Sequence, residues 1–224
     1  GHPYLLRGSI PDIAEDARRA EALGVDGINL LAYRYDGDGE ALVALWRTKQ
    51  LEYSWTHTII GRHPDFETLA EQALDWTLAR LTIDDENLRS ALLDVYADLS
   101  GHADAEPCLR ELRALGIPCA VLSNGSPQML ERVLARSGLA RLVGDEVPGA
   151  GAVEAVYQFA ADELGVEPAH LAFATANAWD AAGAAAAGLS VHWINRTNAP
   201  DEYGLRGTVS ELTNLAALAS LLGR

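Results

Sequence analysis

Apolar and polar positions recur along this chain with two different periods, and the changes of period mark its elements. Ile13, Ala14, Ala17, Ala20 and Leu23 recur at helical spacing behind Ser9 as a candidate cap, and Gly24 closes the run. Gly27 to Tyr33 is a short apolar stretch before the polar turn Asp36-Gly-Asp-Gly39, the pattern of a buried strand. From Glu40 to Leu99 no strand pattern occurs. Leu42, Leu45, Trp46, Lys49 and Tyr53 continue one helix, Phe66 to Leu81 gives a second and Glu86 to Leu99 a third.

Beyond residue 100 the two periods alternate. The spacing predicts helices over Ala105–Leu115, Pro127–Ser137, Val153–Leu164, Trp179–Ala187 and Glu211–Leu222, with strands at Pro118–Leu122, Leu171–Ala174 and Ser190–Ile194. Strands alternating with helices imply an α/β fold with a parallel, doubly wound sheet covered on both faces. The expected organisation is a core of residues 3–38 and 101–224, with residues 39–100 inserted as a helical cap.

Composition narrows the function classes. Hydrophobic residues make up 49% and charged residues 22% of the 224 positions, which is ordinary for a globular domain and excludes a disordered chain. A formal charge of −15 repels polyanions, so nucleic acid is not an expected partner. The longest apolar runs, such as Ala181 to Leu189, are too short to cross a bilayer, and no basic-then-apolar signal pattern opens the sequence. These features predict a cytoplasmic protein without a membrane partner, and Gly1-His2 reads as a tag remnant. Cys108 and Cys119 have no second cysteine or histidine at metal-ligand spacing and read as reduced, partly buried thiols.

In an open parallel sheet the ligand binds beyond the carboxyl ends of the strands. Ser123-Asn124-Gly125-Ser126 follows one predicted strand with hydroxyl and amide groups, a glycine and a helix start, although a loop capped by Ser126 explains the same residues. Thr175-Ala-Asn177-Ala-Trp-Asp180 follows another and places Asn177 and Asp180 at a helix head, where Asp180 can cap or can orient a reacting group. The third strand end, after Gly27, offers Leu30, Leu31 and Ala32, none of which is a nucleophile or base.

Four blocks, in order, resemble the bacterial 2-haloacid dehalogenases of the haloacid dehalogenase superfamily: Leu45-Trp-Arg-Thr-Lys-Gln-Leu-Glu-Tyr-Ser-Trp55, Leu122-Ser-Asn-Gly-Ser-Pro-Gln128, Asn177-Ala-Trp-Asp-Ala-Ala-Gly183 and Trp193-Ile-Asn-Arg-Thr197. The resemblance implies a Rossmann-like core, a cap, a small-molecule substrate, usually a homodimer, and chemistry without a metal or other cofactor. In that family an aspartate in a Phe-Asp-x-Tyr-Gly-Thr setting displaces halide and forms an ester that water hydrolyses. By the same resemblance Arg47 and Asn124 match the residues that receive the halide, and Ser123 and Asn177 those that hold the substrate carboxylate or the ester. Tyr157 matches a motif tyrosine, and Thr175 and Asp180 match the serine and aspartate that organise a lysine and the hydrolytic water.

The departures are specific. No Phe-Asp-x-Tyr-Gly-Thr occurs, and Leu31 falls at the nucleophile if Asn29–Tyr33 is the first strand. Counting back from Trp46 without a gap puts Asp16 there instead, within a helical pattern and without the Gly-Thr turn. Gly149-Ala-Gly-Ala-Val153 puts Gly151 at the lysine. Ile10 to Tyr35 resembles a helix–strand unit of another α/β architecture, such as a barrel. Three functions stay open: a repurposed enzyme acting on a small polar or anionic substrate without an aspartyl ester, a hydrolytic 2-haloacid dehalogenase with a displaced nucleophile, and a non-catalytic binding protein. The first is the main expectation, with weak or absent dehalogenation and no bound magnesium.

Overall fold

The computed structural model describes residues 39–62, 64–96, 101–143, 146–148 and 154–223. The expected first helix and strand, Asp16, Leu31 and Gly151 lie outside the described residues. Two compact units divide the chain, one taking the described residues up to Gly101 with Gly125–Ser137, the other His102–Asn124 with residues from Gly138 onward.

The first unit is helical. Helix α1, Gly39–Ile59, buries Leu42, Trp46, Gln50 and Ser54 at every fourth position and turns Arg47, Thr48, Trp55 and Thr56 to solvent. Helix α2, Phe66–Arg80, starts where Asp65 accepts the Thr68 N–H at 2.7 Å, and α3, Glu86–Tyr96, follows Asp85, whose carboxylate accepts the Asn87 and Leu88 N–H groups. Leu42, Trp46, Leu74, Leu78, Ile83 and Leu92 form one core. The Trp46 indole N–H donates to the Ala70 carbonyl at 2.9 Å, so its one polar group is satisfied inside that core. Helix α5, Pro127–Arg136, belongs to this unit and is capped by Ser126, which accepts the Met129 N–H at 3.2 Å, as its position in the sequence suggested.

The second unit alternates helices with parallel strands, an α/β fold. Its elements are α4 (Ala105–Ala114), β1 (Val121–Ser123), β2 (Glu146–Pro148), α6 (Glu154–Leu164), β3 (Ala172–Thr175), α7 (Ala178–Ala186), β4 (Ser190–Ile194), β5 (Ser210–Leu212) and α8 (Leu218–Leu222). Among the described residues the strands form two parallel ladders, β1–β2 and β3–β4–β5, with Thr175 opposite Trp193 and His192 opposite Ser210. Ala181 and Ala184 are fully buried on α7, and their small side chains let the helix lie close against a core of Tyr157, Leu189, Val191, Trp193 and Leu205. A second cluster joins Cys108 and Leu112 of α4 to Leu218 and Ala219 of α8. No helix among the described residues is long and apolar enough to cross a membrane.

Three expectations need correction. The strand placed at Pro118–Leu122 is Val121–Ser123, the three residues that pair with Glu146–Pro148. The helix expected over Glu211–Leu222 is instead β5, a single 3₁₀ turn at Leu215–Ala217 and the short α8. Pairing of Ser210–Leu212 with β4, and Asn214 accepting the Ala216 N–H at 2.9 Å, overrides the leucine–alanine periodicity there. Strands β2 and β5 were not expected, because Glu146-Val-Pro148 and Ser210-Glu-Leu212 carry no strand pattern.

Candidate active site

Thr175 ends β3, and α7 begins three residues later, so the chain turns from strand to helix over Thr175–Asn177. The short β3–α7 loop fixes the spacing that lets the Thr175 hydroxyl reach the first turn of the helix. Thr175 Oγ1 donates to Asp180 Oδ2 at 2.7 Å and accepts the Asn177 backbone N–H at 3.2 Å. From α6, the Tyr157 hydroxyl donates to the other carboxylate oxygen, Oδ1, at 2.6 Å, and lies 3.2 Å from the Asp180 carbonyl. Each oxygen of Asp180 therefore has its own donor, which fixes the plane of the carboxylate. Of the two roles open to Asp180, its carboxylate holds side chains, and Asn177, at the cap position with extended backbone, makes no side-chain cap bond.

Tyr157 is almost fully enclosed and meets Phe173 edge-on, with ring centroids 5.7 Å apart and planes at 74°. Burial first, then the hydrogen bond to Asp180 and its charge, pushes the Tyr157 phenol far above its ordinary value of 10.0. It is thus a permanent donor near neutral pH and not a proton shuttle. Burial also raises both cysteine thiols, with the neighbouring Cys119 adding to the effect on Cys108, which disfavours the thiolate form of each. Among the described residues no three His, Cys, Asp or Glu side chains converge as a metal site.

Of the residues singled out in the sequence, Thr175, Asn177, Asp180 and Tyr157 are brought together. Ser123 ends β1 and Asn124 follows it, at the carboxyl end of a parallel strand as Thr175 is. Arg47 lies on α1 in the other unit, exposed, with Nη1 donating to Gln50 Oε1 at 2.8 Å. Asp16 is outside the described residues.

A family model described as haloacid dehalogenase-like hydrolase matches residues 11–188. The chain belongs to that family. This haloacid dehalogenase-like hydrolase is 40% identical over 199 residues to (S)-2-haloacid dehalogenase 1 of Pseudomonas sp. strain CBS-3, covering 86% of this chain and 88% of that enzyme. It is similar to a dehalogenase crystallised with an intermediate complex, at a TM-score of 0.81 and 35% identity, with 88% of this chain and 92% of the other covered. It is also similar to the L-2-haloacid dehalogenase of Xanthobacter autotrophicus with chloropropionic acid covalently bound, at a TM-score of 0.71 and 27% identity, covering 98% and 95% of the two chains.

Two contributors to the site were not singled out in the sequence. Phe173 reads only as a strand residue, and its contact with Tyr157 needs the packing of α6 on the ladder to be seen. Gly183 reads as one more small residue in an alanine-rich helix, but a Cβ on it would stand 2.8 Å from the Tyr157 hydroxyl.

Proposed function

We propose that this chain is a hydrolytic 2-haloacid dehalogenase acting on short (S)-2-haloacids. The observation that carries the reading is 40% identity to an (S)-2-haloacid dehalogenase over most of both chains, and the Thr175–Asp180–Tyr157 hydrogen-bonded group is consistent with it. It replaces the repurposed enzyme as the preferred function. In this reading a carboxylate attacks C2 of the substrate, the C–halogen bond breaks with inversion, and halide leaves as an ester forms. Water then attacks the ester carbonyl, the enzyme carboxylate is regenerated and a 2-hydroxy acid of the opposite configuration departs.

The attacking carboxylate is assigned to Asp16, since the family match begins at residue 11 and so includes it, and the count back from Trp46 without a gap puts it at the family's nucleophile. The family resemblance assigns Arg47 and Asn124 to the halide, Ser123 and Asn177 to the substrate carboxylate or the ester, and the hydrolytic water to Asp180, whose carboxylate Thr175 and Tyr157 orient. By the same resemblance Gly151 falls at the family's lysine, so the second step runs without that cation.

The test is halide release from (S)- and (R)-2-chloropropionate by the wild type, Asp16→Asn and Asp180→Asn. The expected result is turnover of the (S) enantiomer, lost by about three orders of magnitude or more in Asp16→Asn. Turnover that survives in Asp16→Asn but not in Asp180→Asn would move the attack to a water on Asp180. Background release by the wild type would overturn the proposal and restore the repurposed enzyme or the binding protein.

A further inference from the structure

The backbone of α7 gives no reason for a glycine at position 183. Its φ is not in the left-handed region, where the positive-φ glycines of this chain are found, and alanine fills six of the nine positions of the helix. Glycine is among the weakest helix formers, so an alanine-rich helix carries one here only if a side chain cannot be accommodated. The space beside it answers the question. A Cβ on Gly183 would lie 2.8 Å from Tyr157 Oη, 3.0 Å from Cε2 and 3.3 Å from Cζ, and Cβ atoms essentially never approach within 3.0 Å.

The ring cannot step aside cheaply. Tyr157 is 3% exposed, Phe173 packs on it edge-on, and its hydroxyl is spent on Asp180. Gly183 lies one turn beyond Asp180 on the same helix, so the hydroxyl passes over Gly183 to reach the carboxylate from its side.

We propose that Gly183 is a positioning residue: the missing side chain is the slot through which Tyr157 reaches Asp180 Oδ1 and holds the carboxylate in the plane that Thr175 also requires. With a methyl group in the slot, Tyr157 withdraws, Asp180 keeps Thr175 alone among its described donors, and the carboxylate turns about its Cβ–Cγ bond. The consequence for turnover rests on the dehalogenase reading, whereas the consequence for packing does not.

The experiment is a double-mutant cycle on the full chain with Gly183→Ala, Tyr157→Leu and the two combined, reading thermal unfolding and the steady-state kinetics of (S)-2-chloropropionate. Gly183→Ala alone lowers Tm although alanine is the better helix former, and in Tyr157→Leu, where the ring is gone, the same substitution leaves Tm unchanged or raises it. In the kinetics Gly183→Ala lowers kcat by about tenfold or more while KM moves little, because orientation and not binding is lost. Equal effects of Gly183→Ala on Tm in both backgrounds would overturn the slot. Coupled Tm values with an unchanged kcat would overturn the positioning role. A wild type that releases no halide would sink the dehalogenase reading alone, and the Tm cycle would still decide whether Gly183 places Tyr157.

Discussion

His192 is a buried polar residue without a polar partner among the described residues. It lies in β4, 6% exposed, and among the described residues neither ring nitrogen has a hydrogen-bond partner. Burial depresses its pKa below the ordinary 6.5, so the folded protein keeps the ring neutral. As pH falls through about 6.5 the unfolded chain takes up this proton first, and the folded state loses stability until its own lower pKa is reached. The wild-type Tm should therefore fall on going from about pH 7.5 to about pH 5.5 by more than that of His192→Leu. Parallel Tm profiles for the two proteins would sink this account. Legibility at this scale follows chemistry. Thr175, Asp180 and Tyr157 carry groups that a sequence comparison can match. Gly183 works by having none, and His192 depends on strand neighbours far away in the chain, so neither announced itself.

At the scale of elements, Ser126 does two jobs with one hydroxyl. It accepts the Met129 N–H to start α5 and donates to Glu67 Oε2, in the first turn of α2, at 2.8 Å. Losing a cap costs about 1 kcal/mol, and a hydrogen bond to a charged group, about 1.5–3 kcal/mol at full strength, is weakened here because Ser126 and Glu67 are both only half-buried, so Ser126→Ala should destabilise by roughly 2 kcal/mol in urea unfolding. Glu67→Ala should add little to Ser126→Ala, and full additivity would show the contact to be idle. The helices of the first unit were legible because their apolar residues repeat at every third and fourth position and Asp65, Asp85 and Ser126 announce their starts. Strand Ser190–Ile194 was legible as a run of β-formers. Strands β2 and β5 were not, because three residues with a Glu among them, and in β2 a Pro, show no period. Their strand state is set by the partner strand. The Leu215–Leu222 stretch misled for the converse reason: its composition favours helix, but a ladder claims the residues just before it.

For the molecule as a whole, a charge of −15 sets the field through which any substrate arrives. A 2-haloacid is itself an anion, so the protein's long-range field opposes its approach and only the local groups of the site favour it. Raising ionic strength from about 10 to about 150 mM with sodium sulfate, which avoids adding the product halide, should lower KM for 2-chloropropionate about twofold at constant kcat as that field is screened. A KM that stays level or rises would show that the long-range field does not govern the approach.

The second unit is closed by its latest residues. Asp104, just ahead of α4, takes two guanidinium hydrogen bonds from Arg196, at 2.8 and 3.0 Å, and the Leu215 N–H at 2.8 Å. Burial alone would raise its carboxyl, but these donors and the Arg196 charge outweigh burial and leave it below the usual carboxylate value. Leu218 and Ala219 then cover Cys108 and Leu112. On a ribosome making ~5–20 residues per second, roughly 110 residues separate α4 from this cover, so its apolar face stays wet for about 5–20 s after it emerges. For that interval the nascent chain carries an open hydrophobic stripe that the finished protein never shows, and a ribosome stalled short of Leu218 keeps it on display.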